Sequence, residues 1–326
     1  MTFFPTLEHI IGHTGVLAHL RQVVASNRPG HAHLFFGPPG VGKATVAAAF
    51  IQALFCRNKS GGGESGCGQC PVCRKVAQGN HGDWIPVGMG EGKTRIGVDQ
   101  VRQLAGFFAL TPLEAPWKVA TVDDAALMNE AAANALLKTL EEPPPRSLLI
   151  LVTRQPGKLL PTIRSRCLKT RFARLTPGEV RQILTNLTPL SAATLADAVA
   201  AGGGDVGRSL AFSQGELPAL RQQFFQEMAA LPTSSLGQLS LLAGQWSAPE
   251  RFALVAVLLK AWLQERLHGT VTHANSLDDR QRAEAWLKVV LWVDGVLRQT
   301  VAINLNHRLV LEAVFIRLAR LQGADY

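Results

Sequence analysis

Lys43 sits in the run Gly37-Pro-Pro-Gly-Val-Gly-Lys43-Ala44-Thr45, whose residue types and spacing suit a phosphate cradle. Gly37, Gly40 and Gly42 let backbone N–H groups converge on anionic oxygens, and a helix opening at the lysine adds its positive dipole end. Lys43 then reaches the terminal phosphates of a nucleotide such as ATP. One position departs from the pattern. Ala44 stands where a Ser or Thr hydroxyl would help hold Mg²⁺. Thr45 is adjacent, but one helical step turns a side chain by about 100° and aims it elsewhere. The loop is expected to bind phosphates and to be poorly equipped for the metal.

A second candidate group lies at Asp123-Asp124, directly after the apolar run Val119–Val122. An acid at the end of a strand downstream of such a loop is placed for Mg²⁺, which suits Asp123. The next position calls for a Glu that orients water. Asp124 is one methylene shorter, and a misplacement of about 1 Å can cost on the order of 100-fold in rate. The plainer alternative is that both aspartates only end a strand and cap a helix.

Cys56, Cys67, Cys70 and Cys73 are spaced C-x10-C-x2-C-x2-C. Two adjoining C-x-x-C turns put thiolates on one side of a tight loop, and a fourth closes a tetrahedral site for structural Zn²⁺. Four cysteines leave no open position for catalysis. Disulfides are the poorer reading for a chain that reads as cytoplasmic. Cys167 is not expected to be a ligand.

These groups need elements to hold them. His33–Phe36 reads as a buried strand stopping at Gly37, and Ala44–Phe55 as a helix apolar on most faces. A Gly/Ser-rich segment covers 60–66. Between Ile96 and Leu110 the pattern gives a short strand and then a helix capped by Asp99. Lys118–Val122 and Leu148–Val152 are further buried strands, and Glu130–Leu140 is a helix halted by Pro143-Pro-Pro145. Strands alternating with helices predict a mostly parallel sheet covered on both faces. After about residue 173 only helical periodicity remains. The expected division is an α/β P-loop domain over 1–173 with a metal-binding insertion at 56–75, a small helical domain over 174–213, and an all-α domain over 216–326. Gly202-Gly-Gly204 and 214–218 mark the breaks.

Hydrophobic residues make up 47% and charged residues 17% of 326, a globular composition. No apolar run approaches the roughly 18 residues of a membrane helix. The first twenty residues hold no Lys or Arg, which speaks against a signal peptide and for the cytoplasm. The net charge of +9 favours polyanionic partners. It is densest in Arg154, Lys158, Arg164, Arg166, Lys169, Arg171 and Arg174, a stretch with no acid.

The segments Asn134-Ala-Leu-Leu-Lys-Thr-Leu-Glu-Glu-Pro-Pro144 and Thr162-Ile-Arg-Ser-Arg-Cys167, taken with the loop, resemble the clamp-loader branch of the AAA+ ATPases, which includes bacterial gamma/tau and delta-prime subunits of DNA polymerase III. The resemblance extends to Asn306-His-Arg-Leu-Val-Leu-Glu312, similar to the end of that family's collar domain. It implies that Arg166 is an arginine finger acting in trans on a neighbour's ATP, that Thr153 is the sensor 1 residue, and that the cysteines form the family's zinc module. It also implies gamma/tau and delta subunits, a sliding clamp and primer–template DNA as partners. The motors carry an arginine where Gly207 aligns. With Ala44 and Asp124 also altered, the expectation is a delta-prime-like stator with weak or absent ATPase and no polymerase site. A gamma/tau-type motor is the alternative, and a free-standing zinc and nucleic-acid-binding module a third.

Overall fold

A computed structural model of the chain describes residues 5–58, 63–90, 94–213, 217–272, 276–303 and 305–323. Parts of two expected loops, 60–62 and 214–216, lie outside the described residues. The chain forms two compact units, Met1–Pro189 with Gly203–Gly207, and Leu190–Gly202 with Arg208–Tyr326.

The first unit is built on five strands: β1 (Ala32–Phe36), β2 (Trp84–Val87), β3 (Lys118–Val122), β4 (Ser147–Thr153) and β5 (Leu168–Arg171). They form one parallel sheet in the order β2-β3-β4-β1-β5. Side chains alternate across a strand, so β4 feeds both faces. Leu148, Ile150 and Val152 join the core under α1 (Thr14–Ser26) and α2 (Lys43–Phe55). Leu149 and Leu151 join the opposite core, with Val101 and Leu104 of α4 (Val98–Phe108), Leu136 of α5 (Glu130–Glu141) and Ile163 of α6 (Pro161–Ser165). Burying each such Leu or Ile stabilises by about 1.5–3 kcal/mol. Eleven of the thirteen residues of α2 are buried, which its alanines permit by letting neighbours approach closely. A short α3 (Pro71–Ala77) packs on α2, and α7 (Pro177–Leu187) opens with a Thr176/Glu179 capping box.

The structure corrects the sequence reading at three places. Asp99 does not cap α4. The helix starts earlier, with Gly97 as its cap and its N–H given to Gln100 Oε1 at 3.0 Å, so Asp99 falls in the first turn and pairs with Arg102. The strand expected at Ile96 is a single bridge to Met128. Two edge strands were unforeseen: β2 carries Pro86, and β5 is mostly exposed and basic.

The second unit is helical: α8 (Ala192–Gly202), α9 (Val206–Ser213, which starts in the first unit), α10 (Leu217–Ala229), α11 (Leu236–Trp246), α12 (Pro249–Thr272), α13 (Leu277–Ile303) and α14 (His307–Gly323). α11 packs on α14 and α12 on α13, around Phe224, Trp246, Leu258, Trp286 and Phe315. Trp246 donates its indole N–H to Glu227 at 2.6 Å, which satisfies a buried polar group. Among the described residues no helix is long and apolar enough to cross a membrane.

Candidate nucleotide and metal sites

The glycine loop leaves the C-terminal end of β1, where parallel strands deliver their functional loops. Gly37 donates its N–H to Thr153 O at 3.3 Å, tying the loop to the end of β4. Gly40 has φ +63°, and a Cβ there would lie 1.6 Å from Asp205 Oδ1, so a side chain there would be strained and would have to displace the Asp205 carboxylate. Val206 N–H adds a bond to Gly40 O at 3.0 Å, so residues 203–207 dock on the loop. Gly42, φ +88°, is the cap from which α2 starts.

Lys43 is the first residue of α2 and only 8% exposed. Its Nζ donates to Gly37 O at 3.0 Å and Pro38 O at 2.6 Å. Burial holds its ammonium pKa below the ordinary value; Asp123, Asp124 and Asp205 oppose that shift while Arg154 adds to it. Ala44 is exposed, and with Thr45 it borders a cavity of about 1150 Å³. Ile10, Ile11, Leu175 and Ile183 give that cavity an apolar wall.

A smaller cavity of about 210 Å³ gathers Gly40, Lys43, Asp123, Asp124, Thr153 and Arg154. The ends of β1, β3 and β4 thus bring together the loop, the two acids and Thr153. Asp123 accepts the Asp124 N–H at 2.9 Å, and Asp124 adopts a left-handed φ of +47°. Arg154 Nη2 then lies 3.2 Å from Asp124 Oδ2. Thr153 is 1% exposed, its hydroxyl accepting the Gln155 N–H at 3.1 Å. Magnesium fits poorly here: Ala44 offers no oxygen, Asp123 accepts a backbone N–H, and Asp124 faces a guanidinium.

Arg166 lies elsewhere. It follows α6, lines neither cavity, bonds Thr162 O at 3.1 Å and pairs with Glu141 at 3.0 Å. The rest of the basic stretch disperses: Arg174 donates to Gly203 O at 2.8 Å, and Lys169 and Arg171 ride on β5. Sequence reasoning missed Arg154 and Asp205 as neighbours of the loop, since each is brought there only by folding.

Cys56 caps the C-terminal end of α2, and Cys70 caps α3. The four sulfurs of Cys56, Cys67, Cys70 and Cys73 lie within 4.8 Å of one another, with Cys67 and Cys73 Sγ 3.8 Å apart. A tetrahedral ion with metal–sulfur bonds of about 2.3 Å has sulfur–sulfur edges of about 3.8 Å. Backbone amides of Cys67, Cys70 and Cys73 point at Cys56, Cys67 and Cys70 Sγ at 3.3–3.4 Å, the donors that thiolates need. Burial pushes the Cys67 thiol up, but the amides of Gln69 and Cys70 and the Cys56 and Cys70 side chains outweigh it, bringing its pKa to about 6. Burial raises Cys56 and Cys73. The set is positioned to bind a metal ion, and its four ligands leave no open position. Cys167 packs into the apolar core instead, where burial lifts its pKa to about 11.

Residues 12–176 match the family described as DNA polymerase III, delta subunit. The DNA polymerase III subunit delta′ of Pseudomonas aeruginosa is 32% identical over 320 residues, covering 90% of this chain and 93% of its own. The Escherichia coli K12 subunit delta′ is 34% identical over 261 residues, 78% of this chain and 76% of its own. The Haemophilus influenzae subunit tau/gamma is 34% identical over 182 residues, but these are 56% of this chain and 26% of the relative. Similarity to delta′ subunits therefore runs through most of both chains, and this chain belongs to the DNA polymerase III delta′ family.

Proposed function

We propose that the chain serves as the stator of a clamp loader, a subunit that helps load a sliding clamp on primer–template DNA while hydrolysing little or no ATP itself. It would assemble with gamma/tau and delta subunits through residues 216–326 as a collar, with 174–213 as a lid. Nucleotide would sit against Gly37, Gly40, Gly42, Lys43, Ala44 and Thr45, with Thr153 as sensor 1, and the four cysteines would hold structural zinc.

One observation carries the reading. Arg166 is presented outside the two cavities described above, held by the half-exposed Glu141 and a backbone carbonyl. An exposed ion pair is worth about 0–1 kcal/mol, so a neighbour's phosphate would displace Glu141 readily. A guanidinium there would stabilise charge on a transferred phosphoryl group. Meanwhile the local acid that would orient water, Asp124, is paired with Arg154.

The test is Arg166→Ala in the reconstituted complex. Assembly by gel filtration should be unchanged, while clamp-stimulated turnover at the site it serves falls on the order of 10³-fold. Unchanged ATPase refutes the role.

A further inference from the structure

The loop keeps its phosphate-binding parts while the oxygens expected for a metal beside it are depleted, and a second cation lines the same cavity. Lys43 and Arg154 border the same small cavity, together with Gly40 and Thr153. Arg154 is half-exposed and pairs with Asp124 at 3.2 Å. In a metal-dependent loop the divalent ion bridges phosphate oxygens and offsets their charge. Here such an ion would find fewer ligands: Ala44 has no side-chain oxygen, Asp123 Oδ1 already accepts the Asp124 N–H, and Asp124 is paired with Arg154.

We infer that Arg154 takes the charge-neutralising place of the divalent ion, so that the loop binds the polyphosphate of a nucleoside di- or triphosphate without metal. A planar guanidinium suits this role because its fork engages two phosphate oxygens at once. Its present bond to Asp124 is an exposed pair of small net worth, which a multiply charged phosphate outcompetes. Lys43 covers one side of the tail and Arg154 the other. Without a divalent ion to align an attacking water, the loop would bind nucleotide and turn over little of it.

This inference rests on the reading that the loop still accepts nucleotide, and it is independent of Arg166. The experiment is titration calorimetry of the full chain with ATP, in resin-treated buffer free of divalent ions and again with excess Mg²⁺. Soluble chelators are avoided because they attack the four-cysteine site. Wild-type affinity should agree within about twofold in the two buffers, and Arg154→Ala should weaken metal-free binding on the order of tenfold or more. Asp124→Asn, which releases the guanidinium, should tighten it, a gain that misfolding cannot mimic. The inference is overturned by wild-type binding that Mg²⁺ strengthens tenfold, by an Arg154→Ala variant that binds as well as wild type, by weaker binding in Asp124→Asn, or by a wild type that binds no ATP. The last outcome leaves the stator reading standing, because Arg166→Ala tests that separately; a null Arg166→Ala result likewise leaves metal-free binding standing.

Discussion

Gly40→Ala probes the docking of residues 203–207 on the loop, and its cost has two separable parts. An alanine at φ +63° carries a left-handed backbone strain of about 1–2 kcal/mol whatever surrounds it. Its Cβ would also lie 1.6 Å from Asp205 Oδ1 and 2.2 Å from Asp205 Cγ, an overlap that forces one side to move. Overpacking of this sort costs about 1–3 kcal/mol, capped by the cheapest escape. The overlapping atoms end the Asp205 side chain, so the escape is for that buried carboxylate to swing aside and for the 203–207 segment to loosen with it, at the expense of the Val206 N–H to Gly40 O bond, worth about 0.5–1.5 kcal/mol. Native-state hydrogen exchange at the Val206 amide reads this directly. Its exchange should accelerate by about 2–12-fold, matching about 0.5–1.5 kcal/mol of lost docking. Asp205→Ala removes every atom in the overlap, so the double variant should recover the steric part and keep the backbone strain. The coupling between the two sites is then about 0.5–1.5 kcal/mol. Unaltered Val206 protection in Gly40→Ala, or strictly additive effects in the double variant, would refute the account.

The metal centre should give one zinc per chain by elemental analysis after gentle purification, lost in Cys73→Ser; a metal-free wild type would sink the assignment. Asp83 sets a pH dependence. It is fully buried, accepts the N–H groups of Leu113, Glu114 and Ala115 at 2.7–2.9 Å, and pairs with Lys118 at 3.2 Å. Burial raises its pKa, but those amides and Lys118 outweigh it and hold it below the ordinary 3.8. A depressed carboxyl contributes stability above its unfolded pKa and loses it as pH falls through the folded one. Urea unfolding should therefore show Asp83→Asn less stable by about 3–5 kcal/mol at pH 7, with the gap closing below about pH 4. A gap that persists unchanged at pH 2 would contradict this.

What the sequence could and could not reveal follows from how local each feature is. The loop and the cysteines were legible because spacing alone brings their atoms together: β1, the turn and α2 are contiguous, and three cysteines lie within seven residues. The central strands were legible as apolar runs because both their faces are buried. The edge strands hid for the opposite reason. β2 pairs only with β3, which tolerates Pro86, and β5 pairs only with β1 and exposes most of its side chains. Arg154 at Asp124 and Asp205 at Gly40 join residues 30 and 165 positions apart. No periodicity encodes such meetings, and they decide how the cavity is charged and how the loop is held.

The strand order also sets a timetable for synthesis. β1 finds its partners in β4 and β5, more than a hundred residues downstream of it. At about 5–20 residues per second, the nascent chain waits on the order of 6–25 s for them. All four cysteines emerge within that wait, and the strap at Leu7 bonds to Ser65 O at 3.1 Å, which Arg21 reinforces through Ser65 Oγ and Leu7 O. A metal ion captured at that stage would give the ribosome-bound amino-terminal region its own anchor, holding α2 and its exposed alanine-rich face in shape until the rest of the sheet arrives to cover them.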